Sequence, residues 1–385
     1  MDLHTREENS RPRRSRGPYG ADLRAEEFAI HGSSLVSWTN AMQPVVGVIT
    51  NPNSKKNWRH PDRRRAIQEA VGRSGVVRET RSLEELPGAV EELLDSGIKY
   101  WVCDGGDGTL HWVLNTVHDV MRRRAGREDI ELPIVVPTNG GTVDFIARKA
   151  RLKGDSPSIV RRLVRELEAG NTPSTIAVDT VQLVGDGPNG AFDRIGLASA
   201  LGGVAQAFFD RYYALPKDRG AFAIAGVIGA AASTALLDTL APPLRRLLPN
   251  GFAGYEDFFR PTHAHVEVDG RPLGFTTFSS LQIGSIDINL AGVVRCFRHA
   301  SADGVLHFQA ISMSPLGVVV NVPNIVMGTP ILGKQVFDDR ARRVSIVAAD
   351  GDILHPVVDG ELFPELDRVE LKLGPKLRIP TLPAA

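Results

Sequence analysis

Five consecutive residues have the composition of a phosphate-binding turn: Gly105, Gly106, Asp107, Gly108 and Thr109. Glycines in such a turn let backbone N–H groups approach phosphate oxygens without a Cβ in the way, and the N-terminus of a following helix adds positive potential. Asp104 and Asp107 place carboxylates there, which would repel a bare phosphate. A Mg²⁺–nucleotide complex removes this conflict, because Mg²⁺ binds one or two carboxylates together with phosphate oxygens. The alternative is a tight strand–helix turn with incidental acidic residues.

Two further turns follow apolar runs that predict buried strands. The first offers side-chain amides and a hydroxyl to a phosphate, from Asn51, Asn53 and Ser54. The other contains Gly141 and Thr142. In an open parallel sheet, ligands bind beyond the carboxyl ends of the strands, so we expect the three turns to converge on one crevice. An isolated Asn-Pro turn is usually structural, so the first motif depends on its placement.

A motif of a different kind comes late in the chain, after the apolar pair Val357-Val358. Asp359 and Glu361 flank Gly360 there. Two carboxylates at a strand end could hold a metal ion or accept a proton from a substrate hydroxyl. A surface β-turn is the alternative interpretation. The histidines and the two cysteines show no spacing typical of a zinc site.

The elements that must position these residues alternate between strand and helix in the first part of the chain. Apolar runs predict strands at 45–50, 76–80, 98–103 and 132–136, and helical patterns lie at 61–73, 82–97, 109–124 and 156–170. Alternation with short connections predicts an α/β fold with an open parallel sheet that is covered on both faces.

After residue 172 the pattern changes to short alternating runs. They predict antiparallel strands at 175–184, 263–268, 274–283, 305–312, 344–347 and 369–373. We therefore expect a disordered tail at 1–42, an α/β nucleotide-binding domain at 43–172, and a β-rich, sandwich-like domain at 173–385. The second domain would contain a helical insertion at about 200–260, and its last strand could return to the first domain.

The composition is that of an ordinary globular protein. Hydrophobic residues make up 42% and charged residues 23%, and Lys+Arg equal Asp+Glu at 45 each. A chain without net charge lacks the global field that would hold nucleic acid, so we expect no nucleic-acid partner. Two distant cysteines and no signal-peptide pattern predict a reducing, cytoplasmic location.

An Ala- and Gly-rich segment at 221–240 is about as long as a membrane span. It carries Asp238 and is followed by Pro242-Pro243, so we expect a buried or interfacial helix. Aromatic residues close by could line an acyl-chain cleft with it or touch a bilayer: Phe252, Tyr255, Phe258 and Phe259. Ordinary core packing is the alternative for both features.

In their order along the chain, these motifs resemble the diacylglycerol kinase catalytic-domain family. That family includes bacterial diacylglycerol kinases, sphingosine and ceramide kinases and, more distantly, the NAD kinases. The resemblance spans roughly residues 43–380 and includes the strand end at Thr80. It is carried by VVGVITNPNSKKN (45–57), CDGGDGTLHWVLN (103–115), PTNGGTVDFIARK (137–149), SADGVLHF (301–308) and VVDGELF (357–363).

The resemblance implies phosphoryl transfer from ATP, with Mg²⁺, to a hydroxyl group in a cleft between the two domains. Together with the turn chemistry it gives the predicted nucleotide contacts: Asn51, Asn53, Ser54, Thr80, Gly105, Gly106, Asp107, Gly108, Thr109, Gly141 and Thr142. Asp107 would organise the phosphates and the metal. Glu361 would be the general base, and we group it with Asp107 and Asp359 as the catalytic set. A structural Mg²⁺ of some bacterial members would lie near Asp303.

One departure from the family bears on the acceptor. Asp144 and Phe145 stand where lipid kinases have Asn and Asp. The leading hypothesis is a lipid kinase for a diacylglycerol, ceramide or sphingoid base, in peripheral contact with a membrane, with a homodimer left open. An NAD kinase-like enzyme is the alternative, although no Asn-Glu dipeptide lies between residues 150 and 330. A non-catalytic nucleotide-binding regulator is a third, which the presence of Asp107 and Glu361 disfavours.

Overall fold

The structure, a computed structural model, describes residues 45–127, 129–140, 144–215, 220–240, 255, 257–290 and 294–383. The predicted tail at 1–42 lies outside these residues, as do two predicted nucleotide contacts, Gly141 and Thr142.

The first part of the chain alternates strands and helices. Its elements are β1 (Val46–Thr50), α1 (Lys55–Arg59), α2 (Arg63–Val71), β2 (Gly75–Glu79), α3 (Leu86–Asp95), β3 (Tyr100–Asp104), α4 (Asp107–Ala125), β4 (Ile134–Pro137), α5 (Phe145–Lys149), α6 (Ser156–Glu168) and β5 (Thr175–Val178). Every residue of β1, β3 and β4 is buried. Both faces of these strands are covered, which explains why their apolar runs are continuous and not alternating.

The second part is mostly β-structure. Its elements are β6 (Val181–Gly187), β7 (Gly190–Gly196), β8 (Ala198–Gly203), α7 (Val204–Ala214), α8 (Gly220–Leu240), β9 (Thr262–Val268), β10 (Arg271–Pro272), β11 (Thr277–Phe278), β12 (Ser280–Gly284), β13 (Ile288–Leu290), β14 (Val294–Cys296), β15 (Leu306–Ser312), α9 (Pro315–Val320), α10 (Val322–Met327), β16 (Gln335–Ala341), β17 (Arg343–Ala348), β18 (Val357–Val358), β19 (Glu361–Leu362), β20 (Arg368–Leu373) and β21 (Leu377–Pro380). Short 3₁₀ turns lie at Asp257–Phe259 and Arg298–Ser301.

The first sheet has six strands in the order β2-β1-β3-β4-β21-β5. β1 is parallel to β2 and β3, and β4 is parallel to β3 and β21. β5 runs antiparallel to β21. The carboxyl ends of β1, β3 and β4 therefore lie at one edge of the sheet, where the three predicted turns begin. The C-terminal strand β21 lies inside this sheet.

Two antiparallel sheets make up most of the second part. One has the order β10-β9-β17-β20-β6-β7 with β11 paired to β9, and the other has the order β16-β15-β12-β8-β18-β19. Leu183 and Leu371 of the first share a core with Leu201 and Phe308 of the second. The parallel α/β sheet and the antiparallel sheets confirm the predicted fold class.

Residues 175–184 form two strands where the alternating pattern predicts one. β5 joins the mostly parallel sheet and β6 joins an antiparallel sheet, so the chain crosses between them at Asp179-Thr180. Alternation cannot reveal such a crossing, because both strands have the same side-chain period. Helices α9 and α10 were not predicted either, since six residues each are too few for a helical pattern.

The Ala- and Gly-rich segment forms α8, as its composition predicts. Among its described side chains, the buried apolar ones recur at helical spacing: Ile224, Val227, Ala231 and Ala235. Val227 and Ala231 pack against the aromatic residues Tyr255 and Phe258. In the part of the chain that the structure describes, no helix is long and apolar enough to cross a membrane.

Candidate active site

The glycine-rich turn after β3 lies between the turns after β1 and β4. The backbone N–H of Asn51 donates to the carbonyl of Asp104 at 3.0 Å, and the N–H of Gly140 donates to the carbonyl of Gly105 at 2.9 Å. Backbone hydrogen bonds thus tie the three turns together at the carboxyl edge of the sheet, as the strand order requires.

Asp104 is the polar centre beneath these turns. Its carboxylate is fully buried and accepts hydrogen bonds from Thr50 Oγ1 at 2.6 Å and Asn57 Nδ2 at 2.8 Å. Arg63 Nε lies 3.8 Å from the other carboxylate oxygen. Of the two acidic residues of this turn, Asp107 is the predicted metal ligand. The structure uses Asp104 to join the turns, because a buried carboxylate is stable only with such partners.

Glycine is required at two positions of this assembly. A Cβ on Gly105 would collide with the side chain of Thr109, and one on Gly140 would lie 2.6 Å from Gly105 Cα. Asn51 Nδ2 donates to Thr109 Oγ1 at 3.0 Å, which ties the first turn to the start of α4. The turns therefore form a close-packed cradle.

The predicted contacts from the first turn and from the end of β2 lie beside this cradle. Asn53 donates its backbone N–H to Asn51 Oδ1 at 2.9 Å, and the N–H of Thr80 donates to the carbonyl of Thr50 at 3.0 Å. Ser54 Oγ is buried and has no hydrogen-bond partner among the described residues. An unsatisfied buried hydroxyl is costly, so this position suits a ligand that brings an acceptor or donor.

Lys56 connects the first turn to the altered third motif. Its ammonium lies 3.1 Å from Asp144 Oδ2 and donates to the carbonyl of Asn139, and its backbone N–H donates to the carbonyl of Gly140 at 3.3 Å. Asp144 has a left-handed backbone with φ of 49° and is buried. The departure at Asp144 thus serves as one half of an ion pair that holds the third turn, a role that sequence reasoning missed.

The late Asp-Gly-Glu motif forms a tight hairpin. Val358 pairs with Glu361 across β18 and β19, which leaves Asp359 and Gly360 as a two-residue turn. Their φ angles are 52° and 90°, so both residues are left-handed. Asp-Gly is favoured in such a turn because aspartate tolerates this conformation and glycine has no Cβ.

Both carboxylate oxygens of Asp359 are engaged within the protein. Oδ1 accepts from the backbone N–H groups of Leu197 at 2.8 Å and Ala198 at 3.0 Å. Oδ2 lies 3.1 Å from His111 Nδ1 on α4. Asp359, a member of the predicted catalytic set, thus has both carboxylate oxygens in contact with protein groups. It fixes the hairpin against α4 and β8, and through the hairpin it fixes Glu361.

His111 and Asn115 are structural members of the site that sequence reasoning missed. Asn115 accepts from the N–H of Ile195 and donates to its carbonyl, both at 2.9 Å, and its amide lies 3.3 Å from His111 Nε2. Both residues are buried on α4. Their spacing of four residues on a helix was the available signal. They dock the second part of the chain onto the helix that starts at Asp107.

Glu361 lies against the glycine-rich turn. A Cβ on Gly108 would sit 2.6 Å from Glu361 Oε1, so the absence of a side chain there makes room for the carboxylate. The hydroxyl of Tyr213 donates to the carbonyl of Gly360. Burial and, to a smaller extent, the charge of Glu361 raise the pKa of Tyr213 to about 12. The hydrogen bond from this hydroxyl helps to keep the hairpin in place.

An apolar cavity of about 170 Å³ opens beside Asp107, Asp359 and Gly360. The remaining lining residues are mostly apolar: Ala198, Ser199, Ala200, Phe208, Phe209, Tyr212, Tyr213, Ile224, Gln282, Ile288, Cys296, Phe297 and Val357. A second cavity, of about 160 Å³, shares Phe208, Phe209, Gln282 and Cys296 with the first and reaches α9 and α10. We call the two together the acceptor cavity. Phe258 and Phe259, from the aromatic stretch, line its second part.

Asp303 lies in an ion pair with a lysine. Lys376 Nζ is 2.8 Å from Asp303 Oδ1 and 3.5 Å from Asp179 Oδ1, and the N–H of Gly304 donates to Asp179 at 2.6 Å. The hydrogen bond from Lys376 lowers the pKa of Asp303. An ammonium group between two carboxylates does not fit a structural Mg²⁺, so this geometry disfavours Asp303 as a metal ligand.

The residues at the glycine-rich turn do fit a metal that arrives with a nucleotide. No group of three or more His, Cys, Asp or Glu side chains that could hold a metal occurs among the described residues. Mg²⁺ on a nucleotide needs only one or two carboxylates, with phosphate and water oxygens completing its shell. Asp107, at the first turn of α4 and on the wall of the acceptor cavity, would supply such a carboxylate.

The sequence matches one family model. Residues 45–171 match the diacylglycerol kinase catalytic domain. A search of curated proteins found no match.

Solved structures extend the likeness over most of the chain. A diacylglycerol kinase from Bacillus anthracis str. Sterne is similar with a TM-score of 0.53 at 12% identity, covering 89% of this chain and 97% of its own. Two candidate diacylglycerol kinases from that organism give TM-scores of 0.56 and 0.54 at 13% and 14% identity. They cover 89% and 88% of this chain and 98% and 96% of their own. The chain therefore has the fold of these bacterial proteins, and its residues 45–171 match the diacylglycerol kinase catalytic domain.

Proposed function

We propose that the protein is a lipid kinase that transfers the γ-phosphate of ATP to a hydroxyl of a diacylglycerol, ceramide or sphingoid base. One observation carries the proposal: Asp107 of the glycine-rich turn and Asp359-Gly360 of the late hairpin line the same apolar cavity. The match of residues 45–171 to the diacylglycerol kinase catalytic domain supports it. A phosphate cradle thus adjoins a cavity that suits an acceptor with long apolar chains.

The turns after β1, β3 and β4 would bind the triphosphate of ATP. The glycine-rich turn contains the N-terminus of α4, whose first backbone N–H groups favour negative charge. Ser54 Oγ offers a hydroxyl without a partner among the described residues. Asp107 would hold Mg²⁺, which neutralises charge on the phosphate oxygens when it is bound.

Glu361 would act as the general base. The acceptor hydroxyl oxygen forms a bond to the γ-phosphorus, the bond from that phosphorus to the β–γ bridging oxygen breaks, and ADP leaves. The hydroxyl proton passes to the Glu361 carboxylate. The contact of Glu361 with Gly108 places this carboxylate beside the cradle. Asp359 and Tyr213 hold the hairpin that carries it.

The acceptor cavity favours a lipid over a nucleotide acceptor. A ribose acceptor needs hydrogen-bond partners for its remaining hydroxyls and base, because a buried polar group without a partner is costly. Among the described lining residues, apolar and aromatic side chains predominate, and Ser199 and Gln282 are the uncharged polar side chains besides the tyrosine hydroxyls. Acyl or sphingoid chains match such walls.

The purified protein with γ-labelled Mg-ATP tests this proposal against an acceptor panel of diacylglycerol, monoacylglycerol, ceramide, sphingosine and NAD. We expect labelled lipid, and no label when EDTA removes the metal. Glu361→Gln and Asp107→Asn variants should lose transfer. Phosphorylation of NAD alone would contradict the lipid assignment. Undiminished transfer by both variants would contradict the site.

A further inference from the structure

We propose that residues 313–333, which include α9 and α10, dock on the surface of a lipid bilayer, so that the acceptor cavity behind them lies next to the bilayer. We name this stretch the docking segment. The inference rests on the proposed lipid kinase function, because the bilayer is where an acceptor with long acyl chains resides.

The docking segment has no formal charge. No Asp, Glu, Lys or Arg occurs between Asp303 and Lys334, in a chain in which 23% of the residues are charged. Water-exposed protein surfaces intersperse charges of both signs. Charged side chains are expensive in a lipid environment, and their absence over two helices and a loop matches contact with that environment.

Large apolar side chains of the docking segment face outward. Val320 is 66% exposed, Met327 59% and Leu332 68%. A single exposed apolar side chain is normal in a soluble protein, but several on neighbouring elements indicate an interaction surface. Leu240, at the end of α8, which packs against α9, is also 71% exposed.

The loop after α10, which contains Ile331 and Leu332, is held in place by polar groups inside the protein. Asn321 is 4% exposed, donates to the carbonyl of Leu332 at 3.0 Å and accepts from its N–H at 2.8 Å. Asp338 accepts from the N–H of Ile331 at 3.1 Å. The backbone at Leu332 is therefore satisfied inside the protein while the side chain points out. Contact with lipid requires this, because lipid offers no hydrogen-bond partner to an unsatisfied backbone group.

The inner side of the same helices lines the acceptor cavity. The cavity residues alternate with the outward ones along the segment: Val318, Val319, Val322, Ile325, Val326 and Ile331. A lipid chain that leaves the bilayer at Val320 or Met327 would thus meet cavity walls one residue away. The apolar surface thus runs from the outside of the docking segment into the cavity. It favours a bilayer over a protein partner, because a protein interface would carry a polar rim.

Vesicle co-sedimentation tests the docking segment without ATP or acceptor. The probe is a phosphatidylcholine vesicle, and the variant combines Val320→Thr, Met327→Gln and Leu332→Gln. None of these three residues lines the cavity. We expect the unaltered protein to sediment with the vesicles, also in about 0.5 M NaCl, because apolar contact is not screened by salt. The variant should bind at least about tenfold more weakly, since each lost buried methylene weakens transfer to lipid.

A matched control places similar changes elsewhere. Leu83→Gln with Val347→Thr alters side chains that are 48% and 42% exposed outside the docking segment, and should leave vesicle binding unchanged. The docking variant and this control variant should both phosphorylate a short-chain, water-soluble diacylglycerol at the rate of the unaltered protein. On a long-chain acceptor embedded in vesicles, only the docking variant should lose activity.

The outcomes separate the two proposals. Vesicle binding that is absent, or equal in the docking variant, overturns the docking segment even if the short-chain lipid is phosphorylated. Vesicle binding that depends on the three residues, with no lipid phosphorylated by any protein, overturns the kinase proposal instead. A docking variant that becomes monomeric in light scattering, where the unaltered protein is a dimer that ignores vesicles, assigns the surface to a second copy and overturns bilayer docking.

Discussion

The two sides of the candidate site differ in what holds them together. On the phosphate side, formed by the turns at 51–57, 104–109 and 138–140, hydrogen bonds converge on the buried carboxylate of Asp104. On the acceptor side, the cavity beyond Asp107 is bounded by aromatic and aliphatic side chains. A phosphate group needs donors at fixed positions, whereas apolar chains need only volume and the exclusion of water.

This difference predicts how each side tolerates change. Hydrogen-bonded turns lose much when one partner is removed, because the remaining buried partner stays unsatisfied. Apolar walls lose free energy in proportion to the area removed. A single substitution on the phosphate side or in the hairpin should therefore abolish most of the activity. Substitutions on the acceptor side should lower it in proportion to the apolar area removed.

The largest effect should come from the hairpin that joins the two sides. Glu361→Gln keeps the shape of the side chain and removes its ability to accept a proton. We expect kcat to fall by about 10²- to 10⁴-fold, the usual contribution of a general base, with ATP affinity retained. Steady-state kinetics with isothermal titration of ATP measures both. A variant that binds ATP and keeps its kcat would show that Glu361 is not the base.

A Cβ in the phosphate cradle should be the next most damaging change. Gly140→Ala places a methyl group 2.6 Å from Gly105 Cα, a backbone atom that cannot move aside. We expect about 1–3 kcal/mol lower free energy of unfolding, as for overpacking, and weaker ATP binding. Urea unfolding and ATP titration measure these quantities.

Gly88→Ala is the matched control for the cradle variant. Gly88 lies in α3, and no heavy atom lies within 4 Å of a Cβ built there. In a helix this change should raise the free energy of unfolding by up to about 1 kcal/mol. Equal losses in the two glycine variants would contradict a specific packing role for Gly140.

A smaller fall in kcat is expected from Asp359, because this residue would act only by positioning the hairpin that carries Glu361. Asp359→Asn keeps a side chain of the same size but weakens the hydrogen bonds from Leu197 and Ala198 and the contact with His111. Hydrogen bonds to a charged group contribute about 1.5–3 kcal/mol, so kcat should fall by roughly ten- to hundredfold. The KM for ATP should stay the same, since the cradle is untouched. A kcat loss as large as that of Glu361→Gln would instead make Asp359 a direct participant in catalysis.

The smallest effect on catalysis is expected at Asp338, the polar anchor beneath the acceptor side, whose substitution should act on stability. Burial opposes ionisation of Asp338, but hydrogen bonds from His307, Arg298 and Gln309 outweigh it and lower its pKa. A carboxyl whose pKa is lower in the folded state stabilises the fold above its unfolded pKa of about 4, and this contribution is lost as the pH falls.

Asp338→Asn should therefore lower the free energy of unfolding by about 1–3 kcal/mol at pH 7 and flatten its decline in acid. Urea unfolding between pH 7 and pH 3 measures the difference. Asp339→Asn, at the exposed neighbouring residue, should change it by less than about 0.5 kcal/mol. An acid profile of Asp338→Asn that parallels the unaltered protein would contradict the role given to this carboxyl.

Much of the phosphate side was predictable from the sequence, because its signals are local. Apolar runs that end in glycine or asparagine mark strand ends, and parallel order brings such ends together. The roles of Asp104 and Asp144 were not predictable. Whether a carboxylate in a turn faces inward depends on partners such as Asn57 and Lys56, which become neighbours only in the fold.

The acceptor side was harder to predict, since its walls come from many short elements. Phe208 lies on α7, Gln282 on β12 and Ile325 on α10, and no spacing in the sequence relates them. Apolar residues in such elements look like ordinary core until the strand order is known. In the aromatic stretch, core packing and cavity lining, the two interpretations of the sequence, occur together. Phe258 packs against α8 and also lines the cavity.

The most direct test of the account is the dependence of phosphoryl transfer on the chain length of the acceptor. A series of water-soluble monoacyl- or diacylglycerols with increasing acyl length is assayed below the concentration at which each aggregates. We expect kcat/KM to rise by up to about fourfold per added methylene until the cavity is filled, since burying a CH₂ contributes about 0.8 kcal/mol. The KM for ATP should not change along the series. A kcat/KM that is independent of chain length would contradict the claim that the phosphate cradle serves an apolar acceptor cavity.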